Sequence, residues 1–318
     1  MDLEAGFVEA DELAGVLLDL AVPHEDVNAL VAGRDQLLDD PARRALLGRR
    51  LRELTRDIGE IGKGPERGFL GEETGVPGVS GVPAPEAARQ DWRFPVYVFV
   101  AALPHIRAYH RARGVPDDVA RRTLADLGRQ MAVHRRRHGH GGLLGPRWLS
   151  LHFRGELYQL GRLQFQRARL DEPTGAAVAA AGYPAGPGDG VLNLHIADFS
   201  GPLSPEACDR SLALAREFFA RHYPEETYAV AECRSWLLDG QLAAYLRKDA
   251  HIVRFQDRFR PISHGHAEPE DAVPVDFVFG DPGLPVAGLP RRTSLERAVG
   301  DHLRGGGHWY VRHGWFPL

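Results

Sequence analysis

The stretch NLHIADFSGPLSPEACD, residues 193–209, contains the residue types from which anion sites are commonly built. An apolar run ends there, a Ser-Gly-Pro turn follows, and Ser204-Pro205-Glu206 has the composition of a helix start. The first amides of a helix have no partner within it, so they attract phosphate without a side-chain cation. The junction therefore predicts phosphate contacts from Ser200, Gly201 and Ser204. The alternative is an ordinary strand-to-helix turn with a capping serine.

Two side chains near this junction are candidates for a general base. His195 ends the predicted strand before the turn, and an imidazole ordinarily titrates near working pH. Glu232 lies in a second predicted strand, where alternation places it on the face opposite Cys233. Either group is suited to accept a proton during catalysis. For His195 the alternative is a hydrogen-bonded histidine at the rim of a sheet.

Cys233 and Arg136 are weaker candidates. A nucleophilic Cys233 needs a base or cation to stabilise its thiolate, and the arginine of ECRS faces the other way, which favours a buried, inert thiol. Arg136, in the run HRRRHGH, has the forked geometry that binds phosphate. The alternative for Arg136 is a solvated position at the end of a helix, close to the negative pole of its dipole.

Histidines in the same region superficially suggest a metal site. His134, His138 and His140 lie close together in sequence, with His264 and His266 elsewhere. Only the first pair has the spacing of one helical face, and no His-Glu-x-x-His motif is present. We therefore expect no metal. Gly-x-Gly-x-x-Gly and P-loop motifs are absent as well, which argues against common nucleotide-binding folds.

Composition limits the class of protein. The 318 residues are 43% hydrophobic and 26% charged, which is typical of a globular protein of about two domains. A formal net charge of −4 provides no general attraction for nucleic acid. The acidic N-terminus lacks a signal peptide, no apolar run is long enough to cross a membrane, and the cysteines are too few for a disulfide framework. These features predict a cytoplasmic protein without membrane or nucleic-acid partners.

The hydrophobic pattern divides the chain into two domains. Residues 1–140 contain helical periodicities, interrupted by a Gly- and Pro-rich loop at 64–85. Residues 141–318 contain alternating, aromatic-rich segments typical of strands, interrupted by helices at 204–222, 240–247 and 294–304. The predicted strands are WLSLHF, GELYQLGRLQFQRARL, GVLNLHIADF, TYAVAECRSWLL, HIVRFQDRF, PVDFVFG and HWYVRHGWF. The predicted fold class is α+β, a helical domain followed by a mixed sheet flanked by helices.

Several of these segments also resemble a known family. The pieces are ELYQLGRLQFQ, LHIADFSGPLSPEACDRSLALAREFFARHYPE, CRSWLLDGQLAAYL and HIVRFQDRF. They are similar to bacterial two-domain acyltransferases, which have a helical acyltransferase-type N-terminal domain and a C-terminal domain related to the GNAT N-acetyltransferases. The likeness is most distinctive between Trp148 and Phe259. It implies a GNAT-like sheet in the second half of the chain.

The resemblance also implies a reaction. Such enzymes transfer an acyl group from a thioester, either acyl-CoA or an acyl carrier protein, to an amine or hydroxyl of a small-molecule acceptor, and a glutamate on a central strand is a familiar base. Glu232 or His195 would take the proton, and Ser200, Gly201, Ser204 and Arg136 would contact the donor. The junction at residues 200–208 lacks the Gln/Arg-x-x-Gly-x-Gly/Ala motif that ordinary GNAT enzymes have between the central strand and the helix that follows it. This departure leaves a catalytically degenerate binding or regulatory module as the alternative.

Overall fold

The chain folds into a helical unit followed by a sheet unit, as predicted. The computed structural model describes residues 7–65, 69–71, 92–198, 200–262 and 268–318. Two compact units divide after Gln159, whereas the sequence prediction put the domain boundary after residue 140. Most of the predicted loop at 64–85, together with His264 and His266, lies outside the described residues. The α+β fold class is confirmed.

The first unit is built around one apolar helix. Its described α-helices are α1 (Ala10–Asp19), α2 (His24–Asp39), α3 (Pro41–Thr55), α4 (Arg93–Ala112), α5 (Asp117–Leu124), α6 (Asp126–His138) and α7 (Pro146–Phe153). The residues of α4 from Val96 to Leu103 are all buried, so this helix is surrounded by its neighbours. Leu47, Leu51 and Leu54 of α3 bury one face against the same core, at the predicted spacing.

A buried ion pair fixes the end of the helical unit. Arg154 and Glu156, at 0% and 1% side-chain exposure, form a salt bridge of 2.9 Å between Nε and Oε1. The Arg154 guanidinium also donates to the carbonyls of Leu54 and Asp57, while Glu156 accepts from the Gly62 amide. These bonds satisfy charges that would otherwise be costly to bury. They tie the segment after α7 to the end of α3.

The second part of the chain forms a mixed sheet. Its described elements are β1 (Leu157–Leu160), β2 (Leu163–Arg169), α8 (Glu172–Ala180), β3 (Gly190–His195), α9 (Pro205–His222), β4 (Val230–Ser235), α10 (His251–Gln256), β5 (Arg260–Ile262), α11 (Ala272–Phe279), α12 (Ser294–Arg304) and β6 (Arg312–Pro317). The strand order is β1-β2-β3-β4-β6-β5. Strands β3 and β4 are parallel, and the other described pairs are antiparallel.

The parallel pair β3 and β4 is joined over a short length only. The paired positions are Leu192 with Ala231 and Asn193 with Glu232. Strand β3 continues to His195 and then turns towards α9, whereas β4 stays paired with β6 as far as Ser235. The two strands therefore part after Asn193 and Glu232. We call this opening the fork.

Three of the predicted strands are helices. WLSLHF lies in α7, HIVRFQDRF contains α10, and PVDFVFG lies in α11. Short apolar runs do not distinguish a strand from a buried helix, and in α7 the proline at the first helical position favours the helix. The helix predicted at 240–247 is a shorter 3₁₀ turn, Gly240–Ala244. The glycine-rich segment after β2, predicted as a surface excursion, begins with α8, capped by Asp171.

Other predicted elements are confirmed. Helix α9 begins at Pro205, and the Ser204 hydroxyl caps it by accepting a hydrogen bond from the Ala207 amide. Helix α12 begins with the capping box that Thr293 and Glu296 predicted. The predicted strands around β2, β3, β4 and β6 are present. Local capping chemistry was thus a better guide than short apolar runs.

The buried pair yields a stability prediction. Replacing Arg154 by Leu leaves Glu156 charged and unpaired in the core, so the free energy of unfolding should fall by about 3–5 kcal/mol. The matched control is Arg122→Leu, because Arg122 forms an exposed pair of 2.6 Å with Asp118 and should change stability by less than about 1 kcal/mol. Urea denaturation of both variants measures the difference. Equal losses would contradict the role assigned to the buried pair.

Candidate active site

One face of the sheet carries a row of polar side chains at the fork. Residues that are directly paired on neighbouring strands point to the same face, and so do alternate residues along each strand. The pairing of Gln166 with Asn193, of Asn193 with Glu232 and of Glu232 with Trp315 therefore runs across four strands on one face. We call Gln164, Gln166, Asn193, His195, Glu232 and His313 the polar row.

The other end of the same face is apolar. Val191 and Val230 pack there against Val178 of α8 and against Tyr183, and Trp315, the pairing partner of Glu232, borders the same cluster. The polar row thus begins where this cluster ends, at the level of Asn193 and Glu232. A change from apolar to polar side chains along one sheet face is typical of a site that meets a ligand.

His195 is oriented by a glutamine. Its Nε2 lies 2.9 Å from Oε1 of Gln166, on the neighbouring strand β2. A carbonyl oxygen can only accept, so Nε2 carries the hydrogen in this arrangement. The basic lone pair is then on Nδ1. The structure thus places the predicted base at the end of β3, where the two strands part, with its tautomer selected by Gln166.

Glu232 is paired with a histidine that the sequence analysis did not single out. Oε2 of Glu232 lies 3.1 Å from Nε2 of His313 on β6, and the two side chains are only 10% and 9% exposed. The pairing of Arg234 with His313 makes this a diagonal contact across two strands. Recognising it requires the register of β4 and β6, which are separated by the whole region of α10 to α12. No local sequence signal reveals this contact.

Asn193 lies between these two pairs. Its Oδ1 is buried and makes no hydrogen bond within the part of the chain that the structure describes. A buried carbonyl oxygen without a donor costs about 1–3 kcal/mol. Asn193 Oδ1 is therefore an acceptor that can take a hydrogen bond from a water molecule or from a ligand at the fork.

The predicted phosphate contacts lie at the turn between β3 and α9. Gly201 has φ +79°, which favours glycine, and a side chain at that position would meet open space. Ser200 donates from its hydroxyl to the Asp198 carbonyl at 3.3 Å. Ser204 uses its hydroxyl to cap α9 at the Ala207 amide, so the alternative capping role is present. The phosphate contacts of these three residues remain predictions.

The first turn of α9 already holds an acidic side chain. The pKa of Glu206 is lowered by a hydrogen bond from its own backbone amide, then by one from Ser204. Pro205 has no amide hydrogen. The amide of Glu206 donates to its own carboxylate, and the amide of Ala207 donates to the Ser204 hydroxyl. An anion that binds here must compete with them or bind through side-chain cations.

Two arginines supply such cations. Arg162 donates to the carbonyls of Gly201 at 2.8 Å and Ala197 at 3.1 Å, so its guanidinium links two parts of the turn. Arg258 donates to the Pro205 carbonyl at 3.3 Å and pairs with Asp209 at 2.6 Å. Neither arginine was predicted from the sequence. Arg162 was not distinguishable among many arginines, and Arg258 lies within a segment that was wrongly predicted as a strand.

Cys233 has the properties of an inert thiol. It is 3% exposed, and burial, together with the neighbouring Glu232 charge, raises its pKa to about 12. Burial also raises the pKa of Cys208. A thiolate nucleophile at Cys233 is therefore strongly disfavoured near neutral pH. The alternative that the sequence favoured, a buried structural cysteine, fits the structure.

Arg136 and the histidine cluster lie in the helical unit. Arg136 is exposed in the last turn of α6, where its charge suits the negative end of the helix dipole. The rings of His138 and His140 lie 4.5 Å and 5.2 Å from His134, whose pKa is lowered to about 4, mainly by burial. No group of three or more metal-binding side chains among the described residues is arranged to hold an ion.

Comparisons with known proteins decide the family. Residues 11–155 match the N-acyltransferase N-terminal domain, and residues 157–316 match the GNAT-like C-terminal domain. The chain belongs to the two-domain acyltransferases. The family prediction made from the sequence is thereby confirmed. No protein with a curated functional description matches the chain significantly.

Solved acyltransferase structures resemble the whole chain. A mutant acyltransferase in complex with octanoyl-CoA is 36% identical, with a TM-score of 0.81 over 98% of this chain and 89% of that one. An acyltransferase in complex with decanoyl-CoA and teicoplanin is also 36% identical, with a TM-score of 0.80 over the same shares of the two chains. None of the helices in the described part of this chain is long and apolar enough to cross a membrane.

The raised thiol pKa yields a prediction for alkylation. At pH 8 a thiol with a pKa of about 12 is almost entirely protonated, so iodoacetamide should label Cys233 more than about 1,000-fold slower than an exposed cysteine. Labelling should rise about tenfold per pH unit, because the thiolate fraction does. Mass spectrometry of the Cys233 peptide in the folded protein measures the rate. Rapid labelling at pH 8 would show that Cys233 is activated.

Proposed function

We propose that this acyltransferase transfers a medium- or long-chain acyl group from acyl-CoA to an amine of a small-molecule acceptor. The observation that carries the proposal is the likeness over 98% of the chain to acyltransferases crystallised with octanoyl-CoA and decanoyl-CoA. The neighbour bound to teicoplanin supports a small-molecule acceptor, and the N-acyltransferase domain favours an amine over a hydroxyl. An acyl carrier protein is an alternative donor.

The donor would bind at the fork and the turn that follows it. The amide-rich arm of CoA is suited to the facing edges of β3 and β4, which no longer pair with each other after Asn193 and Glu232. The pyrophosphate would lie at Ser200, Gly201 and Ser204, where Arg162 and Arg258 supply positive charge. Arg136 is also proposed to contact the donor, at the 3′-phosphate of CoA. We place the reaction in the cytoplasm, where acyl-CoA is available.

The transfer needs a proton acceptor beside the thioester. The amine nitrogen attacks the carbonyl carbon, the C–N bond forms, and the C–S bond breaks as the CoA thiolate leaves. We assign the proton from the attacking nitrogen to Nδ1 of His195, since Gln166 holds the hydrogen on Nε2. The thiolate then receives that proton. Glu232 is the second candidate for this role.

Donor binding and turnover test the proposal together. Isothermal titration with decanoyl-CoA should show binding, and release of free CoA thiol should depend on an added amine. His195→Ala should leave decanoyl-CoA affinity within about threefold and lower kcat about 100-fold or more, since it removes the base. His308→Ala is the control, because His308 is also a histidine paired with an acidic side chain, Asp271, but lies outside the polar row. Unchanged kcat in the His195 variant would show that His195 is not the base and would favour Glu232 in that role.

The arginines give a separate prediction for donor affinity. Arg258→Gln should raise the Kd of CoA about tenfold, because one charge-assisted hydrogen bond of about 1.4 kcal/mol to phosphate is lost. Arg247→Gln is the control, since Arg247 is exposed and its described side-chain contacts, including an ion pair of 2.8 Å, are with Asp249 and not with the turn. Calorimetry at constant salt measures both. An equal effect of the two substitutions would indicate only a general loss of charge.

A binding or regulatory module is the second candidate function. The engaged amides at the start of α9 and the absent glycine motif favour it. Decanoyl-CoA binding without thiol release in the presence of any amine would support this alternative. Failure to bind any acyl-CoA would reject both.

A further inference from the structure

One arginine on the face of the polar row has no partner among the described residues. Arg234 lies on β4 two residues after Glu232, so strand alternation puts both side chains on that face. It is directly paired with His313 of β6 and is exposed. In the part of the chain that the structure describes, its guanidinium forms no hydrogen bond, ion pair or ring contact. The reaction proposed above gives this cation no role.

The other arginines in the described strands are all engaged. Each of them contacts a carboxylate, a carbonyl, a hydroxyl or an aromatic ring. The contacts are Arg167 with Glu226 at 2.9 Å, Arg169 with the Gly188 carbonyl at 3.1 Å, Arg260 with the Tyr183 hydroxyl at 3.0 Å, and Arg312 with the centre of the Tyr310 ring at 4.5 Å. Arginines on this sheet are thus ordinarily anchored, and Arg234 differs from them.

No carboxylate of the described strands is bonded to Arg234. Glu232 is the single acidic residue in those strands, and its carboxylate lies 3.1 Å from Nε2 of His313. Arg260 adds a second positive charge on the same face, because it is directly paired with Trp315, which is itself paired with Glu232. Two guanidinium groups and one engaged carboxylate favour an anionic ligand on this face.

The position of Arg234 along its strand indicates which substrate carries the anion. Strands β3 and β4 are parallel, and Asn193 and Glu232 are their last paired positions. His195 and Arg234 each lie two residues further on, so they are at the same level on the two sides of the fork. Because His195 is the proposed base, an anion at Arg234 lies close to the reacting nitrogen.

The phosphates of the donor are proposed to lie elsewhere. Arg162 and Arg258 bond to the turn between β3 and α9, several residues beyond His195. The pantetheine arm of CoA separates its phosphates from the thioester, so a phosphate at that turn lies away from the reacting carbonyl. An anion at the level of His195 therefore belongs to the acceptor.

We propose that Arg234 binds a carboxylate of the acceptor, so that the substrates of this acyltransferase are amines that also carry a carboxylate. The inference rests on the proposed function. Paired strands are about 4.8 Å apart, and β3 and β4 part beyond the fork, so several bonds separate the nitrogen from the carboxylate. A guanidinium matches a carboxylate with two parallel N–H donors, which adds geometric selectivity to the charge. The carboxylate is unchanged while the C–N bond forms and the C–S bond breaks.

Two acceptors of equal length test the assignment. The compounds 5-aminopentanoate and 5-aminopentanamide have the same number of heavy atoms and similarly basic amines, but only the first has a carboxylate. With decanoyl-CoA as donor, kcat/KM for thiol release should be at least about tenfold higher with the acid. Arg234→Gln should remove this preference by lowering kcat/KM about tenfold with the acid and less than about twofold with the amide. The Kd of decanoyl-CoA should not change.

The matched control is Arg312→Gln. Arg312 is paired with Ser235, the residue next to Arg234, so its exposed side chain lies on the opposite face of the same sheet. Its substitution removes the same charge and should leave both kcat/KM values unchanged. Thermal unfolding verifies that the variants are folded. As a second variant, Arg234→Glu should favour 1,5-diaminopentane, which carries a second cation, over 5-aminopentanoate.

The possible outcomes separate the carboxylate site from the proposed function. Equal use of the two acceptors by the unmodified protein, or equal losses with both in Arg234→Gln, would overturn the carboxylate site and leave amine acylation intact. A weaker affinity of Arg234→Gln for decanoyl-CoA with unchanged acceptor preference would assign Arg234 to a donor phosphate and overturn the site as well. Thiol release with neither acceptor nor with pentylamine would count against amine acylation itself, and the carboxylate site would fail with it.

Discussion

The site depends on where the pairing of β3 and β4 ends. Asn193 and Glu232 are the last paired positions, because β3 must turn to reach α9 while β4 stays bonded to β6. Beyond that point the facing strand edges carry backbone groups that cannot bond to each other, and buried backbone groups need partners. An extended chain with its own amides is a suitable partner. The same parting brings His195 and Glu232 close to the opening, so one backbone feature underlies both the proposed donor site and the proposed proton transfer.

The start of α9 shows a second constraint. A helix N-terminus with glycine-rich backbone binds phosphate through free amides, but here Pro205, Ser204 and Glu206 occupy that position. Such self-capping stabilises the helix when no ligand is present. A phosphate at this turn would therefore depend on side-chain cations, and Arg162 and Arg258 lie at the turn. The missing glycine motif is thus compatible with a donor site of different composition, in which guanidinium groups replace backbone amides.

The sequence predicted those features that are encoded locally. The capping serine and proline gave the start of α9, and alternation in AECRSW gave the opposite faces of Glu232 and Cys233. Features that depend on long-range register were not accessible. The bond between Glu232 and His313 needs the pairing of β4 with β6, and the one between Gln166 and His195 needs that of β2 with β3. The apolar run WLSLHF is likewise helical in α7, although it was predicted as a strand. A short apolar stretch of sequence does not distinguish a buried helix from a buried strand.

On one face of the sheet, the residues that stabilise the core can be distinguished from the residues of the candidate site. Val191 and Val230 occupy the closed end of that face and pack against α8, as a core requires. Two residues further along each strand, Asn193 and Glu232 stand where the same pattern would place valines. Stability alone would favour a continued apolar pattern. A buried acceptor without a donor and a buried carboxylate both lower the free energy of unfolding, that is, the stability of the folded protein. Their position at the fork is what the proposed acyl-CoA and amine site requires, since both side chains can accept hydrogen bonds from a bound group.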